Sequence, residues 1–149
     1  MRYFIVLSYL GRGFSGWQKQ HHSNSVQETI ENALCILLKT PIEIVGCGRT
    51  DTGVHALHYI AHFDFEGELP SNLKAGANSL LPLNIAIQDI KPMHTDAHAR
   101  FDATERSYVY HLHTQKDPFL QRTSWYFTNK KTLQLNTLNE TADIFLQYD

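Results

Sequence analysis

Hydrophobic spacing switches between two periods along this chain, and the order of the switches limits the folds open to it. Tyr3-Phe4-Ile5-Val6-Leu7 is a β-rich run within Arg2 to Tyr9, and it leads into a glycine-dense loop, Gly11-Arg12-Gly13-Phe14-Ser15-Gly16. Ser25-Val26-Gln27-Glu28 has the spacing of a capping box, whose hydroxyl and carboxylate satisfy orphan backbone amides, so a helix begins there. Val26, Ile30, Ala33, Leu34, Leu37 and Leu38 recur at helical spacing as an inward stripe. Glu28, Glu31 and Lys39 are left to face water, and Pro41 stops the helix. Ile42 to Val45 is a short second strand. The period then becomes two: Leu57, Tyr59, Ala61, Phe63 and Phe65 alternate with His58, His62 and Asp64, Ile60 alone breaking the polar side. Pro70 opens a second helix through Leu80, weakened by Gly76, and Ile85 to Ile90 is another strand. The order βαββαβ predicts an α+β fold, the ferredoxin-like split βαβ, with an antiparallel sheet covered by helices on one face. Beyond it, Ser107 to His113 reads as a strand, and Leu133 to Leu146 as a helix on Leu135, Leu138, Ala142, Phe145 and Leu146. Pro92 to Glu105 is the longest unassigned stretch.

Composition narrows the class. With 149 residues, 42% hydrophobic and 19% charged, the chain suits one packed domain rather than a disordered, collagen-like or disulfide-scaffold protein. A domain of this size buries roughly 68–70% of the surface its unfolded chain exposes, so it needs no metal or covalent staple. Phe4 to Leu7, the longest early apolar run, is far shorter than the roughly 18 residues of a membrane helix or the 7 to 15 or so of a signal core. Cys35 and Cys47 form no CxxC pair, which fits a reducing compartment, so the expected location is cytoplasmic with no membrane partner. The net charge of -2 gives no support to a large non-specific nucleic-acid surface. The balance is uneven, however: from Lys91 to Lys131, Lys91, Arg100, Arg106, Lys116, Arg122, Lys130 and Lys131 stand against only Asp96, Asp102, Glu105 and Asp117. A local phosphate-facing surface and an ordinary solvated one both fit that pattern.

The segment richest in chemistry is Gly46-Cys47-Gly48-Arg49-Thr50-Asp51-Thr52-Gly53-Val54-His55-Ala56. Its glycines let the backbone bend sharply and approach a ligand while presenting one carboxylate, Asp51. Three readings follow from the residues alone: Asp51 satisfies turn amides, it does carboxylate chemistry, or the glycines cradle a phosphate. The last lacks the GxxxxGK[ST] pattern and would set a carboxylate against the anion. Nine histidines raise the question of a metal. His58 and His62, four apart on a strand, would stand about 13 Å apart, too far to share an ion. His111 and His113 share a face with no third ligand pattern, so no metal site is expected. Cys47 lacks a His and Asn or Asp constellation that would make it a nucleophile.

The same segment closely resembles the GxGRTDxGVHA signature of the tRNA pseudouridine synthase A (TruA) family. Other motifs agree in order. Tyr9, Gly11, Phe14, Gly16, Trp17, Gln18 and Gln20 resemble the family's Y-D-G-x-x-F-x-G-W-Q-x-Q, and Val26-Gln27 and Ala33-Leu34 fall where its first helix has VQ and AL. Asn78, Leu81 and Pro82 fit N-x-x-LP, and Phe101, Ala103, Arg106, Tyr108 and Tyr110 look like F-x-A-x-x-R-x-Y-x-Y, with His98-Ala99-Arg100 just before. The likeness covers most of Arg2 to Tyr110 and continues more weakly. Leu10 stands where the family has Asp, and Cys47 where it usually has another small residue.

The resemblance implies an isomerase that converts uridine to pseudouridine in the anticodon stem and loop of tRNA, at positions 38, 39 and 40, with no cofactor. Asp51 is then the catalytic residue, since an exposed aspartate, with a reference pKa of about 3.9, is ionised at pH 7 and can act as nucleophile or base. Addition to ribose C1′, addition to uracil C6 and abstraction of a ribose proton all remain open to it. Arg49 is implied as the wedge for a base drawn out of the stack, and Tyr108 as an active-site ring stacking on uracil, with Tyr110 on the same strand face. Arg12, Arg100, Arg106 and Lys19 are implied phosphate contacts, with His21 and His22 beside them. Residues 1–149 would form the N-terminal ferredoxin-like half, the linker or second half starting near 115–149 and the C-terminal half absent. Full-length relatives look like homodimers that grip tRNA. The competing expectations are a ferredoxin-like RNA-binding module or inactive fragment, and a small-nucleotide binder using Gly46 to Gly53.

Overall fold

A computed structural model describes residues 1–129 and 133–147. Lys130 and Lys131, two of the basic residues counted above, lie outside the described residues, as do Thr132, Tyr148 and Asp149. The chain divides into two compact units, Met1–Arg106 and Ser107–Asp149.

In the first unit, β1 (Arg2–Tyr9), β2 (Val45–Gly46), β3 (Ala56–Asp64) and β4 (Ile85–Met93) form a sheet ordered β2-β3-β1-β4, all neighbours antiparallel. The helices α1 (Val26–Leu38) and α2 (Leu73–Leu80) connect β1 to β2 and β3 to β4. This is the split βαβ arrangement that the order of periods predicts. Tyr3, Ile5, Leu7 and Tyr9 on β1 are buried against Ile30, Ala33 and Leu34 of α1, Leu73 and Ala77 of α2, and Tyr59, Ala61 and Phe63 of β3. Where the two helices meet, a Cβ on Gly76 would lie 3.3 Å from Leu37, so the glycine that weakens α2 is also what lets it approach α1. Ser25 Oγ accepts the Glu28 N–H at 3.2 Å, as a capping box requires, but the Glu28 carboxylate lies 3.8 Å from Lys19 Nζ. Lys39, at φ 56°, turns the chain before Pro41 is reached.

Several boundaries and exposures differ from the sequence reading, each for a local reason. The second strand is Val45–Gly46 rather than Ile42 to Val45. The amides of Ile42 and Ile44 are taken by side chains of α1, Cys35 Sγ at 3.1 Å and Glu31 Oε1 at 3.0 Å, instead of by a ladder. For the same reason Glu31 is buried, not turned to water. Leu57, expected inward, is exposed. Tyr9 pairs with Ala56 and Leu7 with Tyr59, so Leu57 and His58 together oppose Ser8 in a bulge that turns Leu57 outward. The second helix starts at Leu73, Pro70 forming only a turn in which its carbonyl accepts the Leu73 N–H at 2.9 Å. β4 runs on to Met93 and includes Pro92, tolerated because β4 is a sheet edge.

His62, expected on the polar face, is buried, because residues 94–102 cross that face of the sheet as a strap. Ala97 and Ala99 are buried in it. The Arg2 guanidinium donates to the Ala97 carbonyl at 2.8 Å, and His62 Nδ1 accepts the Ala99 N–H at 3.1 Å. His98 Nδ1 accepts the N–H groups of Arg100 and Phe101, both at 3.2 Å, and the His98 N–H reaches Asp102 Oδ2 at 2.7 Å.

In the second unit, β5 (Leu112–His113) pairs in parallel with β6 (Trp125–Tyr126), and α3 (Leu135–Phe145) follows. The expected strand Ser107 to His113 is cut down to its last two residues, the only ones of it with a partner strand among the described residues. Tyr108 and Tyr110 therefore lie in irregular, exposed chain and share no strand face. The apolar stripe expected on the last helix is present in sequence, yet none of its residues is buried. No helix of the described residues is long and apolar enough to cross a membrane.

Candidate active site

The loop from Cys47 to His55 leaves β2 and returns to β3, and its course is set by what lies beneath it. Tyr9, Trp17 and Tyr59 form a buried aromatic cluster, with the Trp17 and Tyr59 ring centroids 4.2 Å apart and Tyr9 5.6 Å from Tyr59. Gly46 lies directly over it. A Cβ there would meet the Tyr59 hydroxyl and come within 2.6 Å of the Trp17 ring, so no other residue fits without moving an aromatic. The preceding loop supplies the second support: the Trp17 N–H donates to the Thr50 carbonyl at 3.0 Å, and Tyr9 OH shares a 2.9 Å hydrogen bond with Thr50 Oγ1. Gly16, at φ 95°, sits where any side chain would strike the Thr50 carbonyl. Farther along, the Gly11 N–H donates to His55 Nδ1 at 2.9 Å.

Buried hydroxyls need partners, and these find them on the loop. Tyr59 OH donates to the Gly48 carbonyl. Burial pushes the Tyr9 phenol up to about 12, the Thr50 contact offsetting only part of this, and burial pushes Tyr59 up as well. Both rings are therefore neutral supports rather than bases.

Asp51 lies at the exposed tip of this supported loop. Its turn is closed by its backbone carbonyl, which accepts the Val54 N–H at 3.2 Å; among the described residues the carboxylate has no hydrogen bond or ion pair. A carboxylate whose job was to satisfy turn amides would be spent on them, and this one is not. As for a phosphate, Gly46 faces the aromatic cluster and Gly48 faces Arg106, and an anion at the tip would meet the Asp51 carboxylate. What remains is a carboxylate with its lone pairs presented outward from a fixed backbone, suited to attack or to accept a proton.

The other residues singled out by sequence divide into groups. Arg49 is exposed on the same loop, two residues before Asp51, and Arg12 is exposed in the turn before Gly13. Arg106 donates from Nε and Nη2 to the Cys47 carbonyl, at 3.2 and 2.7 Å, and from Nη2 to the Arg100 carbonyl at 3.1 Å. Arg100 is exposed, its guanidinium 6.0 Å from the Phe101 ring centre. Lys19 lies 3.5 Å from Glu31 and 3.8 Å from Glu28, so its charge is met by two carboxylates at the start of α1. Tyr108 belongs to the second unit and is 70% exposed. No group of three His, Cys, Asp or Glu side chains placed to hold a metal ion occurs among the described residues.

From the sequence, Tyr59 reads only as a core residue of β3 and His55 carries no role of its own. The signal for Tyr59 was the pairing of an alternating strand with a glycine at position 46, which marks a place where backbone passes close over something large.

A family model described as tRNA pseudouridine synthase matches residues 5–102. A protein of Parabacteroides distasonis named tRNA pseudouridine synthase A is 47% identical over 150 residues, covering 99% of this chain and 58% of its own length. Proteins of the same name from Porphyromonas gingivalis and Bacteroides thetaiotaomicron are each 41% identical, again over 99% of this chain, and over 59% and 54% of their own lengths. The chain thus spans less than two thirds of the length of the relatives it matches.

Proposed function

The chain belongs to the tRNA pseudouridine synthase family, and from that premise we propose that the complete protein isomerises uridine to pseudouridine in the anticodon stem and loop of tRNA, with Asp51 as the reacting carboxylate. The observation that carries this reading is the unpartnered Asp51 side chain on a loop whose backbone is fixed from below. In the reaction the bond from ribose C1′ to uracil N1 breaks and one from C1′ to C5 forms. The C5 proton leaves to solvent and N1 takes one up, so no electrons are gained or lost and no redox cofactor is called for.

The target base must leave its stack to reach a carboxylate, at a cost of a few kcal/mol. Arg49 is placed by sequence to fill the gap or hold a phosphate, its planar cation serving either purpose. Tyr108 is the ring assigned to stack on the uracil, and Arg12 and Arg100 are the assigned phosphate contacts. The same reading takes the complete protein as a cytoplasmic homodimer gripping tRNA across both subunits, which the sequence resemblance supports.

The test is tritium release from tRNA carrying C5-labelled uridine, comparing this chain, the complete protein, and the complete protein with Asp51→Asn. The complete protein is expected to release tritium and the Asn variant to release none. Binding of tRNA by the complete protein without release would instead make it an RNA-binding module.

A further inference from the structure

We propose that Arg106 is a positioning residue for the Asp51 loop, clamping the loop where it leaves the sheet; the inference rests on Asp51 being the reacting group. Four of the five consecutive carbonyls from Cys47 to Asp51 have a donor in the first unit. The Cys47 carbonyl has Arg106, Gly48 has the Tyr59 hydroxyl, Thr50 has the Trp17 N–H and Asp51 has the Val54 N–H. Three of these donors come from the aromatic cluster or from the loop itself. Arg106 alone comes from the chain that follows the strap, and it alone is charged.

Its point of action is the hinge of the loop. The Cys47 N–H still donates to the Ile60 carbonyl at 2.8 Å, so Cys47 keeps a backbone hydrogen bond to β3 as the loop departs, and Arg106 holds the carbonyl of the same residue. Nη2 also reaches the Arg100 carbonyl, so one guanidinium joins the strap to the loop. Gly48 leaves the space this needs: a Cβ there would stand 3.3 Å from Arg106 Nε. Donation from Nε and Nη2 to one carbonyl and from Nη2 to a second uses the planar fork of arginine, which a lysine ammonium reproduces only in part. With these two nitrogens directed at backbone carbonyls, Arg106 acts on the reaction through the loop rather than as the phosphate contact expected from sequence.

The experiment uses the complete protein with Arg106→Gln and Arg106→Lys. It measures kcat and KM for tRNA by C5-tritium release, and amide hydrogen exchange of the segment from Gly48 to Gly53. Arg106→Gln is expected to lower kcat about 10- to 100-fold, the scale of a misplaced catalytic group, with KM changed by less than about threefold. Exchange in the loop is expected to rise, and Arg106→Lys to fall between the two. An unchanged kcat with a raised, salt-dependent KM overturns the proposal in favour of a phosphate contact. Unchanged exchange in both variants overturns it whatever the kinetics. If the unmodified complete protein releases no tritium, the isomerase reading fails, and the exchange comparison still decides whether Arg106 fixes the loop.

Discussion

Glu31 and Tyr59 each place a polar group in the interior where a backbone atom needs it. Glu31 Oε1 accepts from Gln27 Nε2 at 2.9 Å and from the Ile44 N–H at 3.0 Å, with Lys19 on its other oxygen. Replacing it by alanine orphans a buried amide, so Glu31→Ala is expected to lower stability by about 1–3 kcal/mol in urea denaturation. Lys19→Ala, which removes a half-exposed ion pair, should cost no more than about 1 kcal/mol. Tyr59→Phe leaves the Gly48 carbonyl without its donor, and a loss of about 1–3 kcal/mol is expected by the same measurement. Tyr9 adds an alkaline signature. Its folded pKa, about 12, lies above the ordinary 10, so the stability gained by keeping it neutral is complete below pH 10 and disappears as the pH climbs towards 12. Melting curves of the protein and of Tyr9→Phe should therefore converge over that interval.

Among the elements, the strap across the sheet is the one most open to pH. His62 Nδ1 accepts the Ala99 N–H and so must be unprotonated, and burial, with the nearby Arg2 guanidinium, holds its pKa below the ordinary 6.5. The unfolded chain then binds a proton more readily than the folded one, so the contribution is full above about pH 6.5 and is lost as the pH falls through the folded value. The strap is expected to loosen below pH 6.5, read as faster hydrogen exchange at Ala99. His62→Gln, which does not titrate there, should flatten the dependence. Strand β1, the Ser25 cap and the alternation of β3 were legible in sequence because each is set by residues near in the chain. The burial of His62 and of Glu31 was not, because each is decided by an amide 37 and 13 residues away. Nor was the outward turn of Leu57, since a bulge depends on the register of two strands. At the site, glycine spacing singled out the loop but left the role of its aspartate open until the family resemblance was added, whereas the hydrogen bonds from Tyr59 and Arg106 to the loop carbonyls needed the third dimension.

On the scale of the whole molecule, the two units differ in what holds them. Met1–Arg106 has a core closed by both helices, whereas α3 of the second unit buries none of its residues. A chain ending at Arg106 is therefore expected to unfold in one cooperative urea transition, and residues 107–149 alone to show none, as an isolated helix of 11 residues is marginal in water. Such a result would place the folding unit and the Asp51 loop in the same piece. The aromatic cluster under that loop also gives the protein an optical probe of its own. Trp17 is 3% exposed and Trp125 65%, so in Trp125→Phe the remaining indole emission comes from beneath the loop. Its wavelength and quenching then report, without any label, whether the loop stays seated when tRNA is added to the sample.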